Sequence, residues 1–206
     1  MSAAPKTVLD VSPEEAAAIR AAVRAADLSQ LGQGYVLASP AHVAGLVDLL
    51  SDPAVSDPIY DLPRPLTAGN IATLVEEARC AREVGEGLLV VLVDTAGRIA
   101  SYSRFTVWPE RSAAEIVGAY RADLQSVGVG KTGAARSFGW MFESLGVRLI
   151  GVTAALDNVR SAGVIEAAGF RPMGERDSVR PDGSVRRSLY WEGTREAWRQ
   201  RMQSSR

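Results

Sequence analysis

Seven residues near the middle of the chain, Gln125-Ser126-Val127-Gly128-Val129-Gly130-Lys131, have the composition of a phosphate-binding loop. They lie between a strand-like run and an amphipathic helical pattern. Two glycines let the backbone approach a ligand closely, and the N–H groups at a helix N-terminus attract anions. The segment therefore predicts a site for a phosphate-bearing cofactor, whose type has to be inferred from the rest of the chain.

Three kinds of phosphate loop fit parts of this segment. The P-loop pattern G-x-x-x-x-G-K-[ST] is matched at Gly130-Lys131-Thr132, but Gln125 stands where its first glycine belongs. The dinucleotide pattern G-x-G-x-x-G can start at Gly128, but the next strand ends at Thr153-Ala154 without the acidic residue that a dinucleotide site needs. The third pattern, Q/R-x-x-G-x-G/A, is the acetyl-CoA pyrophosphate loop, and Gln125 begins a complete match to it.

Residues on both sides of the loop extend this third match. They are Ser51-Asp52-Pro53-Ala54-Val55, Asn158-Val159-Arg160-Ser161, Ala168-Gly169-Phe170, Arg176, Asp182-Gly183, Tyr190 and Trp198. In this order they make residues 34–200 resemble the RimJ/RimL-like branch of the GNAT superfamily of N-acetyltransferases. The resemblance implies a mixed α+β fold: a mostly antiparallel, twisted sheet that is splayed at the cofactor site and flanked by helices.

The resemblance also implies where a cofactor binds. Acetyl-CoA is expected between two splayed parallel strands, Glu115–Tyr120 and Leu149–Thr153, and no metal is implied. The backbone of Val117, Gly118, Ala119 and Tyr120 would bind the pantetheine arm. The pyrophosphate would lie on Gln125, Ser126, Val127, Gly128, Val129, Gly130 and Lys131, at the positive end of the following helix. Asn158 and Ser161 are expected beside the pantetheine and the thioester.

The implied reaction is direct attack of a neutral amine on the thioester carbonyl, which requires a proton acceptor and a donor for the leaving thiolate. Glu115 is our first candidate for the general base, with Tyr120 and Asp123 in reserve. Ser161 is the candidate proton donor, and Asn158 would act through its side-chain amide. Each has a simpler structural interpretation as well: an exposed strand-end glutamate, a helix-surface serine and a helix N-cap.

The acceptor amine is left open between a protein N-terminus and a small molecule such as an amino acid, a polyamine or an antibiotic. Ser51–Leu66, which contains Tyr60, and the turn Arg180–Gly183 are expected to form the acceptor walls. The alternative function is a non-catalytic acyl-CoA-binding sensor or partner protein of the same fold. Such a protein would keep the pyrophosphate loop but would need neither Ser161 nor a base.

The bulk composition excludes several classes of site and partner. The chain has 206 residues and a net charge of −1, which gives no reason to expect nucleic acid or an anionic membrane as a partner. Cys80 is the only cysteine, so an intramolecular disulfide and a thiolate metal cluster are excluded. We expect Cys80 to be a half-buried helix residue. With no run of membrane-spanning length and no apolar signal core, the expected location is the cytoplasm.

These residues must be positioned by alternating strands and helices. Apolar spacing and the Gly/Pro positions predict strands near 35–38, 88–93, 98–108, 115–120, 149–153, 170–179 and 184–191. They predict helices near 12–27, 39–50, 67–84, 131–145, 158–169 and from 194. The proline-rich segment 51–66 is expected to be an irregular loop. We divide the chain into an N-terminal extension, 1–33, and a GNAT domain, 34–206; the helix of the extension would cover the sheet or extend a homodimer interface.

Overall fold

The structure is a computed structural model that describes residues 3–125 and 129–204. Its centre is a seven-stranded sheet in the order β1-β2-β3-β4-β5-β7-β6. The strands are β1 (Tyr35–Leu37), β2 (Gly87–Val93), β3 (Ile99–Trp108), β4 (Ala113–Tyr120), β5 (Leu149–Ala155), β6 (Arg171–Val179) and β7 (Val185–Thr194). Neighbouring strands pair antiparallel except for β4 and β5, which are parallel. The predicted mixed α+β fold, with a mostly antiparallel sheet and flanking helices, is confirmed.

Seven α-helices in the described residues surround this sheet. They are α1 (Pro13–Ala25), α2 (Val43–Ser51), α3 (Pro53–Ser56), α4 (Ala68–Val84), α5 (Val129–Glu143), α6 (Val159–Ala167) and α7 (Arg195–Ser204). Their ends follow local sequence signals, since the side chains of Ser12 and Thr67 accept hydrogen bonds from Glu15 N and Asn70 N at the starts of α1 and α4.

The two faces of the sheet carry separate apolar cores. The first core contains buried residues of β4 and β5, such as Ala114 and Ile150, together with residues of α1, α5 and α6. The second core joins β2 and β3 to α2 and α4, and Val117 and Ala119 of β4 pack against it. Because side chains alternate along a strand, neighbouring residues of β4 point to opposite faces. We call the two sides the first face and the second face.

The helix of the N-terminal extension is integrated into the first core. Ile19 and Val23 of α1 are buried there. At Gly85, the left-handed residue that ends α4, an added Cβ would lie 2.8 Å from the backbone of Arg20, so the two helices approach closely at that point. The extension therefore covers part of the sheet.

Three local details differ from the predictions. The segment 51–66 is not irregular throughout, because Asp52 caps the short helix α3 by accepting a hydrogen bond from Ala54 N at 2.9 Å. The phosphate-type loop does not follow β4 directly, since a 3₁₀ turn, Ala122–Leu124, comes between them. Cys80 is exposed rather than half-buried. Cys80 lies on a different side of α4 from Leu74, Val75 and Ala78, which are buried in the second core.

The pairing of β4 with β5 stops early. Cα partners are Ala113 with Leu149, Ala114 with Ile150, and Glu115 with Gly151, and β4 then continues without β5 to Tyr120. The two parallel strands thus separate at their carboxyl ends, as predicted. This separation positions the candidate site.

Within the described residues, no helix combines the length and the apolar character needed to cross a membrane. The same part of the chain contains no group of three or more His, Cys, Asp or Glu side chains arranged to hold a metal ion.

Candidate functional site

A cleft of about 860 Å³ opens where β4 and β5 separate. Its walls come from β4, β5, the N-terminal half of α5, the start of α6 and residues 54–60. The cofactor residues predicted from the sequence that line it are Val117, Gly118, Ala119, Tyr120, Gln125, Gly130, Asn158 and Ser161. Ligand clefts in proteins commonly have volumes of about 300–1,000 Å³, so this one is large enough for a cofactor with an extended arm.

The β4 wall has one edge paired and the other facing the cleft. Residues from Val117 to Tyr120 are bonded to β3 on one side, while β5 has left their other side. The Tyr120 side chain turns to the first face, where its hydroxyl lies 3.0 Å from that of Tyr35. Burial and this hydrogen bond raise the pKa of Tyr120 above its ordinary value, which argues against Tyr120 as a reserve base. Asp123, the other reserve, is exposed and paired with Arg121 at 2.7 Å.

Gln125 connects the two walls of the cleft. Its Nε2 donates to the carbonyl oxygen of Tyr120 at 2.8 Å, and its Oε1 accepts from Arg160 Nη1 at 3.0 Å. Arg160 belongs to the first turn of α6, so this one side chain links the end of β4 to α6. Arg160 also lines the cleft and places a positive charge at its mouth. Arg160 belongs to the motif Asn158-Val159-Arg160-Ser161, but the sequence did not predict a role for its side chain.

The predicted phosphate loop is described only in part. Ser126, Val127 and Gly128 lie outside the described residues, and α5 begins at Val129. Gly130 lines the cleft, and nothing lies within 4 Å of the position that a Cβ on it would take. Lys131, in the first turn of α5, is exposed.

Asn158 and Ser161 meet at the start of α6, on the opposite wall. Asn158 is the N-cap, since its Oδ1 accepts a hydrogen bond from Ser161 N at 3.0 Å. Both residues line the cleft. The capping interpretation of Asn158 is therefore confirmed, and its Nδ2 group is the part of the side chain that can donate to a ligand.

Glu115 lies at the point where the strands separate and is only 4% exposed. It is two residues from Val117 and so shares the second face. The hydroxyl of Tyr60 donates to its two carboxylate oxygens at 3.3 and 3.4 Å. Tyr60 lines the cleft, whereas Glu115 lies behind it. The interpretation of Glu115 as an exposed strand-end residue is wrong, because the loop over β4 buries it.

A cluster of buried polar groups surrounds Tyr60. Asp61 is 5% exposed and lies 3.6 Å from Arg104, and burial raises its pKa despite that positive charge. Tyr102, which lines the cleft, is also buried, and burial raises its pKa well above the ordinary value. The Arg186 guanidinium lies 5.3 Å from the centre of the Tyr60 ring and donates to Pro58 O at 2.6 Å.

A second cavity of about 350 Å³ lies on the other side of Tyr60. It is lined by Asp57, Ile59, Tyr60, Leu62, Arg64 and the turn residues Arg180, Pro181 and Asp182. Both segments expected as acceptor walls, 51–66 and 180–183, thus contribute to one cavity. The sequence did not indicate a role for Arg104 or Arg186, because neither belongs to a motif and both lie within predicted strands.

The sequence model described as "Acetyltransferase (GNAT) domain" matches residues 36–171, which is more than half of the chain. The chain belongs to the GNAT acetyltransferase family. The family predicted from the loop and the downstream motif is confirmed. Residues 3–31, including α1, precede the matched range in this GNAT protein.

Solved structures share the fold at low sequence identity. Ribosomal-protein-S5-alanine acetyltransferase from Vibrio fischeri has 15% identity and a TM-score of 0.67, with 81% of this chain and 96% of that chain covered. RimJ from Mycobacterium smegmatis, in complex with CoA-disulfide, has 16% identity, a TM-score of 0.69 and coverages of 83% and 88%. RimL, a ribosomal α-N-protein acetyltransferase in complex with coenzyme A, has 16% identity, a TM-score of 0.69 and coverages of 81% and 97%. These neighbours show that the fold is shared, and comparison with curated proteins gives no match.

Proposed function

We propose that this GNAT protein is an acetyl-CoA-dependent N-acetyltransferase that transfers an acetyl group directly to a primary amine. The acceptor would be a protein N-terminus or a small molecule. The observation that carries the proposal is the cleft between β4 and β5, which brings the β4 edge, Gln125, Gly130, Asn158 and Ser161 to one cavity. Two of the structural neighbours, RimJ and RimL, hold coenzyme A or its disulfide.

The residues of the cleft fit a coenzyme A molecule. The early end of the β4–β5 pairing leaves the backbone of Val117 to Tyr120 facing the cleft, where the amides of a pantetheine arm can bond as a neighbouring strand would. The open space at Gly130 and the start of α5 suit a pyrophosphate, since a helix N-terminus favours negative charge. Arg160 adds a cation on the facing wall.

The chain must then accept a proton from the amine and donate one towards sulfur. Acetyl-CoA supplies an acetyl group activated as a thioester, which a neutral amine can attack without a covalent enzyme intermediate. Glu115 is the proposed base, and Tyr60, which donates to it and lines the cleft, would relay the proton or orient the amine. A carboxylate buried at the splay point is held in place by its surroundings, as a general base requires.

Ser161 would donate its hydroxyl proton to the leaving thiolate from the α6 wall and regain a proton from solvent. Its backbone N–H is fixed by Asn158, so the hydroxyl is carried on a capped, ordered turn. We expect Ser161→Ala to slow turnover more than it weakens CoA binding. Equal losses in the two quantities would remove the acid role and leave Ser161 with a binding role only.

The test is an assay of thiol release from acetyl-CoA with a panel of primary amines, run beside a thermal-shift titration with CoA. Stabilisation by CoA and amine-dependent thiol release are the expected results. Tight CoA binding without turnover across the panel would favour the alternative, a non-catalytic acyl-CoA sensor. Stabilisation by ATP with Mg²⁺ and not by CoA would contradict both functions.

A further inference from the structure

The second cavity adjoins the main cleft next to the proposed base. The two spaces share Asp57, Ile59 and Tyr60 as lining residues. The hydroxyl of Tyr60 donates to the carboxylate of Glu115, so this one side chain contacts the base and lines both spaces. An acceptor whose amine lies beside Tyr60 in the cleft therefore has room for its other groups in the second cavity.

The two acidic side chains that line the second cavity already have partners in the chain. Asp57 pairs with Arg64, another lining residue, at 3.7 Å. Asp182 accepts a hydrogen bond from Ser184 N at 2.9 Å within the turn between β6 and β7. The positive charge of Arg180, on the same turn, also helps to hold the pKa of Asp182 below its ordinary value. Each of the two carboxylates is therefore balanced by an arginine of the cavity.

Arg186, which lines the cleft beside Tyr60, has no such partner. Among the described residues, no carboxylate forms an ion pair with its guanidinium. It donates to two neutral oxygens instead, Pro58 O at 2.6 Å and Ser188 Oγ at 3.3 Å. Because a guanidinium has five N–H donors, these bonds leave most of its hydrogen-bonding capacity unused. Arg186 is therefore a half-buried cation that can still bind a ligand.

The charges around Arg186 leave its own charge partly uncompensated. Burial and the positive charge of Arg180 lower the pKa of Arg186 below its ordinary value, and the carboxylates of Asp61 and Asp157 oppose this shift without cancelling it. Asp61 is shared with Arg104 at 3.6 Å, and Asp157 is exposed to solvent, which screens its charge. An anion beside Arg186 would supply the missing negative charge.

A carboxylate is the anion that this site suits. The planar guanidinium fork can give two parallel hydrogen bonds to the oxygens of one carboxylate, whose single negative charge matches one uncompensated arginine. A cavity of about 350 Å³ is at the small end of ligand pockets, which favours a small molecule. Resting on the amine acetylation proposed above, we propose that the acceptor is a small primary amine that also carries a carboxylate, such as an amino acid, and that Arg186 binds this carboxylate with Arg180 close by.

The test compares kcat/KM for amino acids with that for the amides of the same amino acids, over a panel in which the distance between amine and carboxylate varies. Rates are expressed per concentration of neutral amine, because the amide changes the basicity of the amine. For at least one spacing, the wild-type protein should prefer the acid by about tenfold or more, as expected of a site that binds the missing group.

Substitutions at Arg186 then test which side chain causes this preference. Arg186→Gln should abolish most of it by lowering kcat/KM for the acid. Arg186→Lys keeps the charge but not the planar fork, so it should reduce the preference several-fold. Arg187→Gln is the matched control, because Arg187 is the next residue on β7, pairs with Glu175 and lines neither space. CoA titration checks that every variant keeps its cofactor site.

Two outcomes would overturn the proposal. One is a wild-type protein that acetylates the amides as well as the acids at every spacing. The other is a preference for the acid that persists in Arg186→Gln and Arg186→Lys, both shown to bind CoA as the wild type does. If Arg186→Gln fails to fold, Arg186→Lys alone decides. Absence of turnover with every acceptor, despite CoA binding, would instead overturn amine acetylation itself and this proposal with it.

Discussion

The proposed cofactor side of the cleft and its proposed acceptor side, which we call the cofactor side and the acceptor side, are built in different ways. On the cofactor side, the contacts span shorter stretches of the chain: Gln125 bonds to Tyr120, 5 positions away, and to Arg160, 35 positions away, and Asn158 caps the turn that holds Ser161. The acceptor side is assembled from distant segments. Tyr60 and Glu115 are 55 positions apart, and Arg186 and Pro58 are 128 apart.

The two sides also differ in chemistry. The cofactor side presents backbone groups, glycine and neutral polar side chains, with Arg160 at its mouth. The acceptor side contains the buried carboxyl groups of Glu115 and Asp61, together with Arg104 and Arg186. Backbone groups are present in every protein of one fold, so they suit a ligand that all of those proteins bind. Charged side chains on separate segments can be replaced without a change of fold. We therefore expect the fold to determine the cofactor and the side chains of this chain to determine the acceptor.

The largest effect is expected on the acceptor side, at Glu115. Glu115→Gln keeps the size of the side chain and an oxygen that can accept from Tyr60, but it removes the proton acceptor. We expect kcat to fall by about 10²-fold or more, as for loss of a general base, with CoA affinity unchanged. Steady-state kinetics and CoA titration measure the two effects. The control is Glu110→Gln, because Glu110 is an exposed glutamate that pairs with Arg20. A Glu115→Gln enzyme with near-wild-type kcat would contradict the assignment of Glu115 as the base.

The next effect is expected on the cofactor side, at Gly130. Because a Cβ there meets nothing within 4 Å, Gly130→Val should leave the protein folded. If the pyrophosphate lies against this residue, the added side chain should weaken CoA binding by about tenfold or more, since it blocks the close approach of the backbone. Calorimetric titration with CoA measures the change.

Gly163→Val on α6 is the matched control, because Gly163 also has open space around its Cβ position and is not part of the cleft wall. It should bind CoA as the wild type does. If the Gly130 variant retains full affinity while its melting temperature is unchanged, the cofactor does not lie against Gly130.

Substitutions at Asn158 distinguish a contact with the cofactor from a purely structural role as the N-cap of α6. Serine is as good an N-cap as asparagine but has no amide donor. We expect Asn158→Ser to keep the melting temperature and Asn158→Ala to lower it, since losing a cap costs about 1 kcal/mol. If the amide acts on the cofactor, both variants should lose turnover by several-fold. A serine variant with wild-type turnover would limit Asn158 to its capping role.

The same contrast explains what the sequence could predict. Helix caps such as Ser12, Thr67 and Asn158 depend on residues three or four positions apart. The caps, the parallel strand pair at the splay and the family were therefore predictable, whereas the role of the loop in binding a pyrophosphate stays a prediction. The burial of Glu115 was not, because it depends on how the loop containing Tyr60 lies over β4.

The attachment of residues 3–7 to the sheet was unpredictable for the same reason. Nothing within these residues forms a helix or a strand, and their partners Arg111, Arg176 and Glu192 are more than a hundred positions away. The spacing of apolar residues, from which helices and strands are predicted, gives no information about the partners of single polar side chains. Hydrogen bonds between polar residues far apart in the chain leave no repeating pattern in the sequence.

The smallest effect concerns the pH dependence of the stability that Glu192 contributes by binding Lys6 and Thr7. Burial opposes ionisation of Glu192, but hydrogen bonds from Thr7, Tyr190 and Lys6 together outweigh it and hold the pKa of Glu192 below its ordinary value of 4.5. A lowered acid pKa means that the ionised form stabilises the folded state. This contribution is complete above about pH 4.5 and is lost as the pH falls through the folded-state pKa.

Glu192→Gln should therefore lower the melting temperature by a few degrees at neutral pH, given about 2–4 °C per kcal/mol for a chain of this length. The difference from wild type should shrink below pH 4.5, because the Glu192 carboxylate takes up a proton in the unfolded chain there before it does so in the folded protein. Melting curves of both proteins from pH 3.5 to 7.5 measure it, with hydrogen exchange at Lys6 and Thr7 as the local readout. A difference that stays constant over this range would mean that Glu192 binds residues 3–7 through the shape of its side chain and not through its charge.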